Sequence, residues 1–401
     1  MMHGDLGLAD DGETAVLADR NVAVLVSDLS GFTSTTRKHG IVHFASIIVR
    51  MRQLCLPILH NRGLRHLTTE ADNFIVIFED VCEAAMAAVE MKQVIQAYND
   101  ALTPERDHYK IKLNGVGLHC GTGVSVDAHG RLFGATASLA YAVGEDVCSK
   151  GSIILSETAK EVVCKHANFS DAGFEECSYP QIPEPLYEIK GTVSGLDYAV
   201  VPTTDMEWLH PNLGLLVSRH DPDADVAKVD EKLREDRMQE LTALMFGFDI
   251  DQSHHGAEEQ ASSVKAFELV RPILLGNNGM ELEECLYVFK NPADAVVAAV
   301  ALRNIVAEHV DDGGGKLVLS GCGVHTGNVL FIEGTDIHWG DPVNTASKLG
   351  EDLAEDGDIF ITAAAYELAK DDARLGKLTF TARTLQTSKV EFNCFAVTSA
   401  F

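Results

Sequence analysis

Gly117-Leu118-His119-Cys120-Gly121 occurs a second time as Gly323-Val324-His325-Thr326-Gly327, 206 residues further on. The same offset joins Gly134 to Gly340, Gly144-Glu145-Asp146 to Gly350-Glu351-Asp352, and Ser156 to Thr362. A spacing held constant over that whole stretch marks an internal repeat, here a duplicated domain rather than a short solenoid unit. Upstream the offset drifts. Pro57-Ile58-Leu59 matches Pro272-Ile273-Leu274, and Asp28 is matched to Asp249. The copies therefore differ by insertions and deletions, and they also differ in the polar residues each has kept.

Working outward from the repeat, Val22-Ala23-Val24-Leu25-Val26 is a short, continuously apolar run of the kind a buried central strand requires. Residues 41–59 follow as a helix. Residues 64–69 and 74–78 read as a hairpin, and 81–98 as a second helix with Ala84, Ala85, Ala88, Met91 and Val94 on one face. A strand at 111–118, a short helix near Leu139 and a strand at Ile153-Ile154-Leu155 complete the copy. The order is β-α-β-β-α-β with additions, an α+β ferredoxin-like core. The second copy repeats it over 244–248, 264–275, 286–289, 293–309, 316–324 and 359–362. The expected division is a tail at 1–17, a first domain at 18–202, a polar linker at 203–240 and a second domain at 241–401. Within the linker, the charged stretch from Lys228 reads as a solvated helix. Two like domains in one chain are expected to pack about a pseudo-two-fold axis, so that a monomer can hold a complete site.

The composition narrows the function. The chain has 401 residues, 46% of them hydrophobic and 23% charged, enough for two ordinary cores. A formal net charge of −28 argues against nucleic acid or an anionic membrane surface as partner. It also means that a triphosphate would have to be held by metal and local donors. Nine cysteines without CxxC spacing read as reduced thiols. Residues 1–20 lack a signal-peptide pattern, and no apolar run suggests membrane insertion. The expectation is a soluble, cytoplasmic protein.

The chemistry gathers after the first strand. Asp28 is followed by Leu29-Ser30-Gly31-Phe32-Thr33 and then a helix, so a tight glycine turn delivers backbone N–H groups to one place, a cradle for phosphate. Asp72 sits at the tip of the hairpin, which pairs beside the first strand. Either aspartate alone would read as a turn or cap residue. Together, beside the glycine turn, they are what two hard divalent cations, Mg²⁺ or Mn²⁺, require.

Val24-Leu25-Val26-Ser27-Asp28-Leu29-Ser30-Gly31-Phe32-Thr33 resembles the first metal motif of the class III adenylate/guanylate cyclases, and Glu70-Ala71-Asp72-Asn73-Phe74 resembles the second. Gly340-Asp341-Pro342-Val343-Asn344-Thr345-Ala346-Ser347-Lys348-Leu349 is similar to a third motif of that family. The resemblance implies a nucleoside triphosphate substrate, ATP by default, converted to its 3′,5′-cyclic monophosphate and pyrophosphate by two-metal catalysis at the junction of two domains. One domain supplies the metal-binding aspartates, here Asp28 and Asp72. The other supplies an asparagine that orients the ribose, here Asn344, and a cation for the transition state, here Lys348 in place of arginine. At the matching stations the first copy has Ser138 and Ala142. The metal stations of the second copy are read as Asp249 and Glu283. One junction would then be active, and the other, lined by Ser138, Ala142, Asp249 and Glu283, would be a degenerate pseudo-site.

The family pattern is not complete. Phe78 lies 15 positions after Gly63 but Phe289 only 10 after Gly279, so the strand that carries the family's base-reading lysine is shortened in the second copy. Thr68 stands at the lysine station of the first. The base-reading aspartate should fall where Ile337 stands, with Asp336 beside it. GTP and pyrimidine nucleotides therefore stay open as substrates. Two further readings compete with the enzyme: a pseudo-cyclase that binds nucleotide or acts as a scaffold, and a regulatory partner of another cyclase. His119 and His325, at matching strand ends, read as structural.

Overall fold

The apolar run at Val22 becomes the middle of a sheet. The computed structural model describes residues 15–17, 20–70, 72–126, 132–180, 182–250, 257–283, 285–308, 317–386 and 391–399. His254 and His255, read from the sequence as surface loop residues, lie outside the described residues. The chain divides into two units, 1–231 with 333–336, and 232–332 with 337–401.

The first unit runs β1 (Ala15–Leu17), β2 (Val22–Leu29), α1 (Phe32–His39), α2 (Ile41–Asn61), β3 (Leu64–Glu70), β4 (Asn73–Phe78), α3 (Val81–Asp100), β5 (Leu113–Gly121), β6 (Val124–Val126), β7 (Leu132–Phe133) and α4 (Ala135–Tyr141). It continues with β8 (Ser152–Ser156), α5 (Glu157–Val163), β9 (Ala172–Tyr179), β10 (Ile182–Gly191) and α6 (Gly214–Ser218); α7 (Val226–Arg237) crosses the division between units. The main sheet has the order β3-β4-β2-β5-β8-β10-β9. β2 pairs antiparallel with β4 and β5, and β5 pairs parallel with β8. Residues 22–26 are apolar throughout because both faces of β2 are covered, one by α3 and the other by α4. Val22, Val24 and Val26 pack with Ile75, Ile77, Ala137 and Ala140.

α2 is long and apolar enough to cross a membrane, yet 16 of its 21 residues are buried in this unit. Its buried polar side chains hold down the start of the segment read as linker. Arg50 donates to the carbonyls of Val201 and Pro202 at 3.0 and 3.3 Å, and Gln53 to those of Pro202, Thr203 and Asp205. A little further on, Arg219 makes a forked pair with Asp230 and donates to Ser46 and His43 of α2. Buried guanidinium and amide groups must find acceptors, and the backbone of 201–205 provides them. Trp208 stacks on His60 with ring centroids 4.1 Å apart, a packing role.

The second unit runs β11 (Met238–Ile250), α8 (Ala257–Gly276), β12 (Met280–Glu283), β13 (Leu286–Phe289), α9 (Pro292–Glu308), β14 (Leu317–Phe331), β15 (His338–Trp339) and α10 (Asp341–Ser347), followed by β16 (Ile359–Thr362), α11 (Ala363–Ala369), β17 (Leu378–Gln386) and β18 (Glu391–Ser399). Its sheet order, β12-β13-β11-β14-β16-β18-β17, is that of the first unit strand for strand. The ferredoxin-like expectation is met in each unit.

The repeated glycines have a packing reason. A Cβ on Gly117 would stand 2.4 Å from the Gly144 nitrogen, and one on Gly323 would stand 2.1 Å from the Ala346 carbonyl oxygen and 2.8 Å from the Gly350 nitrogen. The Gly-Glu-Asp repeats, expected from the sequence to close a turn after each short helix, sit directly against these glycines. Each lies in a widened helical turn, 142–147 or 348–352, that rests its backbone directly on a strand.

Candidate active site

Asp28 ends the buried part of β2, where β5 carries a bulge. Asp28 pairs with Gly115 and Leu29 with Leu113, leaving Asn114 as the extra residue. Asn114 Nδ2 donates to Asp28 Oδ2 at 2.8 Å. Burial raises the Asp28 carboxyl above its ordinary value, opposed by that hydrogen bond and by the Leu29 amide. Asp72 occupies the turn between β3 and β4, and β4 is the neighbour of β2. Its carboxyl is pushed up to about 6, first by burial and then by the charge of Asp28, with its own backbone amide and Arg52 opposing. The structure thus brings the two aspartates together. Carboxylates that repel one another at a half-buried site are relieved by a bound divalent cation, so the pair fits Mg²⁺ or Mn²⁺. Among the described residues no group of three or more His, Cys, Asp or Glu side chains is arranged around a metal position. Cations held here would complete their shells with substrate or water oxygens.

The phosphate cradle is narrower than the sequence suggests. The Leu29 amide goes to Asp28 and the Ser30 amide to the Lys112 carbonyl at 2.8 Å. That leaves Gly31 and the first-turn amides of α1, Phe32 and Thr33, which have no place in the helical ladder. Gly31 has φ +94°, the left-handed region, so the turn needs glycine even though a Cβ would meet nothing closer than 3.5 Å.

The second unit carries the other group. Asp341, Asn344 and Lys348 follow one another at helical spacing along one face of α10, and Lys348 caps its end. Asn344 and Lys348 are both half-buried. Ser138 and Ala142 occupy the same places on α4. The Ser138 amide bonds Gly134 as the Asn344 amide bonds Gly340.

Strand register revises the two stations read as decayed metal positions. β11 and β14 repeat the bulge of β2 and β5: Gly247 pairs with Gly321 and Phe248 with Leu319, leaving Ser320 extra. Gly321 matches Gly115 by the 206-residue offset, so the counterpart of Asp28 is Gly247, not Asp249, which lies two residues beyond. A Cβ on Gly247 would meet Ser320 Oγ at 2.6 Å, so serine fills the space that Asn114 and Asp28 share in the first unit. Glu283 pairs with Leu286 as Thr68 pairs with Ile75. Glu283 therefore stands at the lysine station, and the hairpin extension that carries Asp72 has no counterpart.

Asp336 and Ile337 are placed as follows. Asp336 accepts a forked pair from Arg52 at 2.7 and 2.5 Å and a hydrogen bond from Thr69 Oγ1 at 3.0 Å. Ile337 is fully buried, and its carbonyl accepts from the Ile332 amide. His338, also buried, lies 3.0 Å through Nε2 from Glu283 Oε1. His119 and His325 bear out their structural reading. His119 Nδ1 lies 2.8 Å from Ser156 Oγ and His325 Nδ1 2.7 Å from Thr362 Oγ1, and these hydroxyls cap α5 and α11. His338, read from the sequence as a surface loop residue, is instead buried in β15; Arg52 and Asn114 escaped the sequence reading. Arg52 had left a signal, since a cation inside an apolar helix needs a partner.

No family model matches the chain, and no curated protein matches it. Solved structures similar to it include the guanylyl cyclase Cya2, at 19% identity over 47% of this chain and 99% of that one, TM-score 0.37. An adenylate cyclase from Trypanosoma brucei in its monomeric state is 16% identical over 47% and 97%, TM-score 0.36. The adenylyl cyclase CyaB from P. aeruginosa is 16% identical over 46% and 100%, TM-score 0.36.

Proposed function

We propose that the chain is a class III nucleotidyl cyclase with one reaction site, taking its metal ligands from the first copy and its ribose and phosphate contacts from the second. The observation that carries this reading is the division of polar residues between two matched sheets. The first copy has Asp28 and Asp72 but Ser138 and Ala142. The second has Gly247 at the Asp28 station but Asn344 and Lys348.

Asp28 and Asp72 would hold two Mg²⁺ or Mn²⁺ ions, which supply acidity to the ribose 3′-hydroxyl and charge for the triphosphate. The amides of Gly31, Phe32 and Thr33 receive phosphate oxygens. Asn344 orients the ribose so that its 3′-oxygen lies in line with the α-phosphorus. As the 3′-oxygen bonds to phosphorus and pyrophosphate leaves, the Lys348 ammonium faces the growing charge. A lysine lacks the planar fork of arginine, so its contribution is that of a point charge.

Glu283 at the lysine station bears on the base. A carboxylate only accepts hydrogen bonds. Guanine offers two adjacent donors on one edge, whereas adenine alternates donor and acceptor. A site built around an acceptor rejects a base that leaves it unpaired. GTP thus takes the place of ATP as the favoured substrate.

The test is an assay of the purified chain with Mn²⁺ and with Mg²⁺ against ATP, GTP, CTP and UTP, with Asp72→Ala as control. A cyclic nucleotide formed from one of them and lost in the variant supports the cyclase and fixes the base. No product from any, with nucleotide still bound, would leave a pseudo-cyclase. One observation favours that second reading: Asp336, the carboxylate beside the family's base-reading aspartate station, is already taken by Arg52 and Thr69.

A further inference from the structure

His325 does in the second unit what His119 does in the first, and something more. In both, Nδ1 meets the hydroxyl that caps the following helix. The cap oxygen accepts an amide, Ala159 in one case and Ala365 in the other, so its own hydrogen is free to point at the imidazole. In the neutral ring whose Nδ1 accepts from that hydroxyl, the hydrogen sits on Nε2. In the second unit Nε2 lies 3.1 Å from Asp341 Oδ2. The station of Asp341 in the first copy is Ala135, 206 residues earlier. The chain of contacts from helix cap through imidazole to carboxylate therefore exists only in the copy that also kept Asn344 and Lys348.

Asp341 opens α10, and Thr345 Oγ1, one turn on, donates to its Oδ1 at 3.3 Å. Asp341 is thus held on both oxygens. Lys348 lies two turns along the same face, with Asn344 between them. Side chains on a helix lean toward its N-terminus, so Lys348 leans along that face toward Asn344 and Asp341. The Asp341 carboxyl is held below its ordinary value first by the His325 hydrogen bond, and the Lys348 ammonium also lowers it.

We propose that His325 and Asp341 are positioning residues for Lys348: the imidazole anchors a carboxylate at the head of α10, and the carboxylate draws the lysine ammonium along the face that carries Asn344. Lys348 lacks the fork by which arginine fixes its own direction, and an anchored counter-charge supplies that direction from outside. The catalytic consequence rests on the cyclase reading; the placement of Asp341, Asn344 and Lys348 on one helix face does not.

Two measurements on the full chain separate these. The first follows the Asp341 carboxyl by carbon-13 NMR through an acid titration, in the parent and in His325→Gln and Lys348→Met. Both variants should move the midpoint upward, His325→Gln by more. A midpoint unmoved in Lys348→Met overturns the proposal whatever the activity. The second is steady-state kinetics. Asp341→Asn should lower kcat about ten-fold or more with little change in KM, as expected for a misdirected charge. Asp341→Glu should recover part of the loss. Equal losses in Asp341→Asn and Asp341→Glu, with unchanged melting temperatures, would also overturn it. A parent inactive on every nucleotide, with the NMR shifts present, would remove the cyclase reading and leave the coupling of His325, Asp341 and Lys348 standing.

Discussion

The hairpin β3–β4 and the hairpin β12–β13 grow from the same place in matching sheets and end differently. The first extends past Thr68 to a turn that holds Asp72; the second closes just after Glu283. The central strands differ in the same sense. Asp28 and Asn114 share the bulge of the first sheet, Gly247 and Ser320 that of the second. Helices α4 and α10 differ in the opposite sense, with Ser138 and Ala142 on one and Asn344 and Lys348 on the other. The shared scaffold shows that both copies keep the fold, while the polar residues are divided between them, Asp28 and Asp72 in one and Asn344 and Lys348 in the other. Packing residues are demanded by the sheet in both copies, whereas polar residues at its edge are free to differ.

The largest expected effect tests the metal side. Asp28→Ala or Asp72→Ala should take product formation to background, and placing Asp at Gly247 should not restore it, because the second hairpin has no Asp72. Residual turnover in either alanine variant would break the assignment. Asn344→Ala should follow, with a loss on the order of a hundred-fold in kcat for a ribose left unoriented, whereas Ser138→Ala should be silent in the same assay. Equal losses would mean that the active and degenerate halves have been exchanged.

Two predictions concern stability. Gly117→Ala sets a Cβ 2.4 Å from a backbone nitrogen and should cost about 3 kcal/mol, read by denaturant melts. A cost under about 0.5 kcal/mol would mean that strand and helical turn are not locked together. Acid should act mainly on the first unit. His43 is pushed down to about 4 and His220 to about 3, burial being the main cause in both. Each is bonded as a neutral ring. His43 Nδ1 lies 3.2 Å from the Arg219 guanidinium, and His220 lies 3.0 Å from the Tyr98 hydroxyl and 2.7 Å from the Ser46 carbonyl. Below the unfolded value near 6.5 the unfolded chain takes up protons that the folded one refuses. Stability is therefore full above pH 6.5 and falls with pH toward the folded values, by about 3 kcal/mol for His43 by pH 4. His43→Gln should flatten the decline, and an unchanged slope would count against it. The smallest effect is expected of Lys348→Arg, which should raise activity or leave it intact; total loss would show that Lys348 has another task.

Much of this was legible in the amino-acid sequence, and for identifiable reasons. The run at 22–26 declared a strand covered on both faces, and the 206-residue offset declared two matching sheets. Asp28 and Asp72 could be paired because a β-α-β-β order sets the hairpin beside the first strand. Asp249 and Glu283 were misplaced because the sequence match slides across an indel, whereas a bulge and a ladder of hydrogen bonds do not. The pairing of Arg52 with Asp336 was out of reach, although the buried cation itself was visible, since the two lie 284 residues apart.

The sequence by itself determined the duplication, the fold of each copy and the uneven distribution of Asp28, Asp72, Asn344 and Lys348 between them, because these are written in local periodicity and in spacing. The tertiary structure alone decided which residues share a station: Gly247 with Asp28, Glu283 with Thr68, and the carboxylate of Asp341 with the imidazole of His325. Register, bulges and hydrogen bonds between distant segments fix those correspondences, and they depend on which strands lie side by side, not on how far apart residues are along the chain.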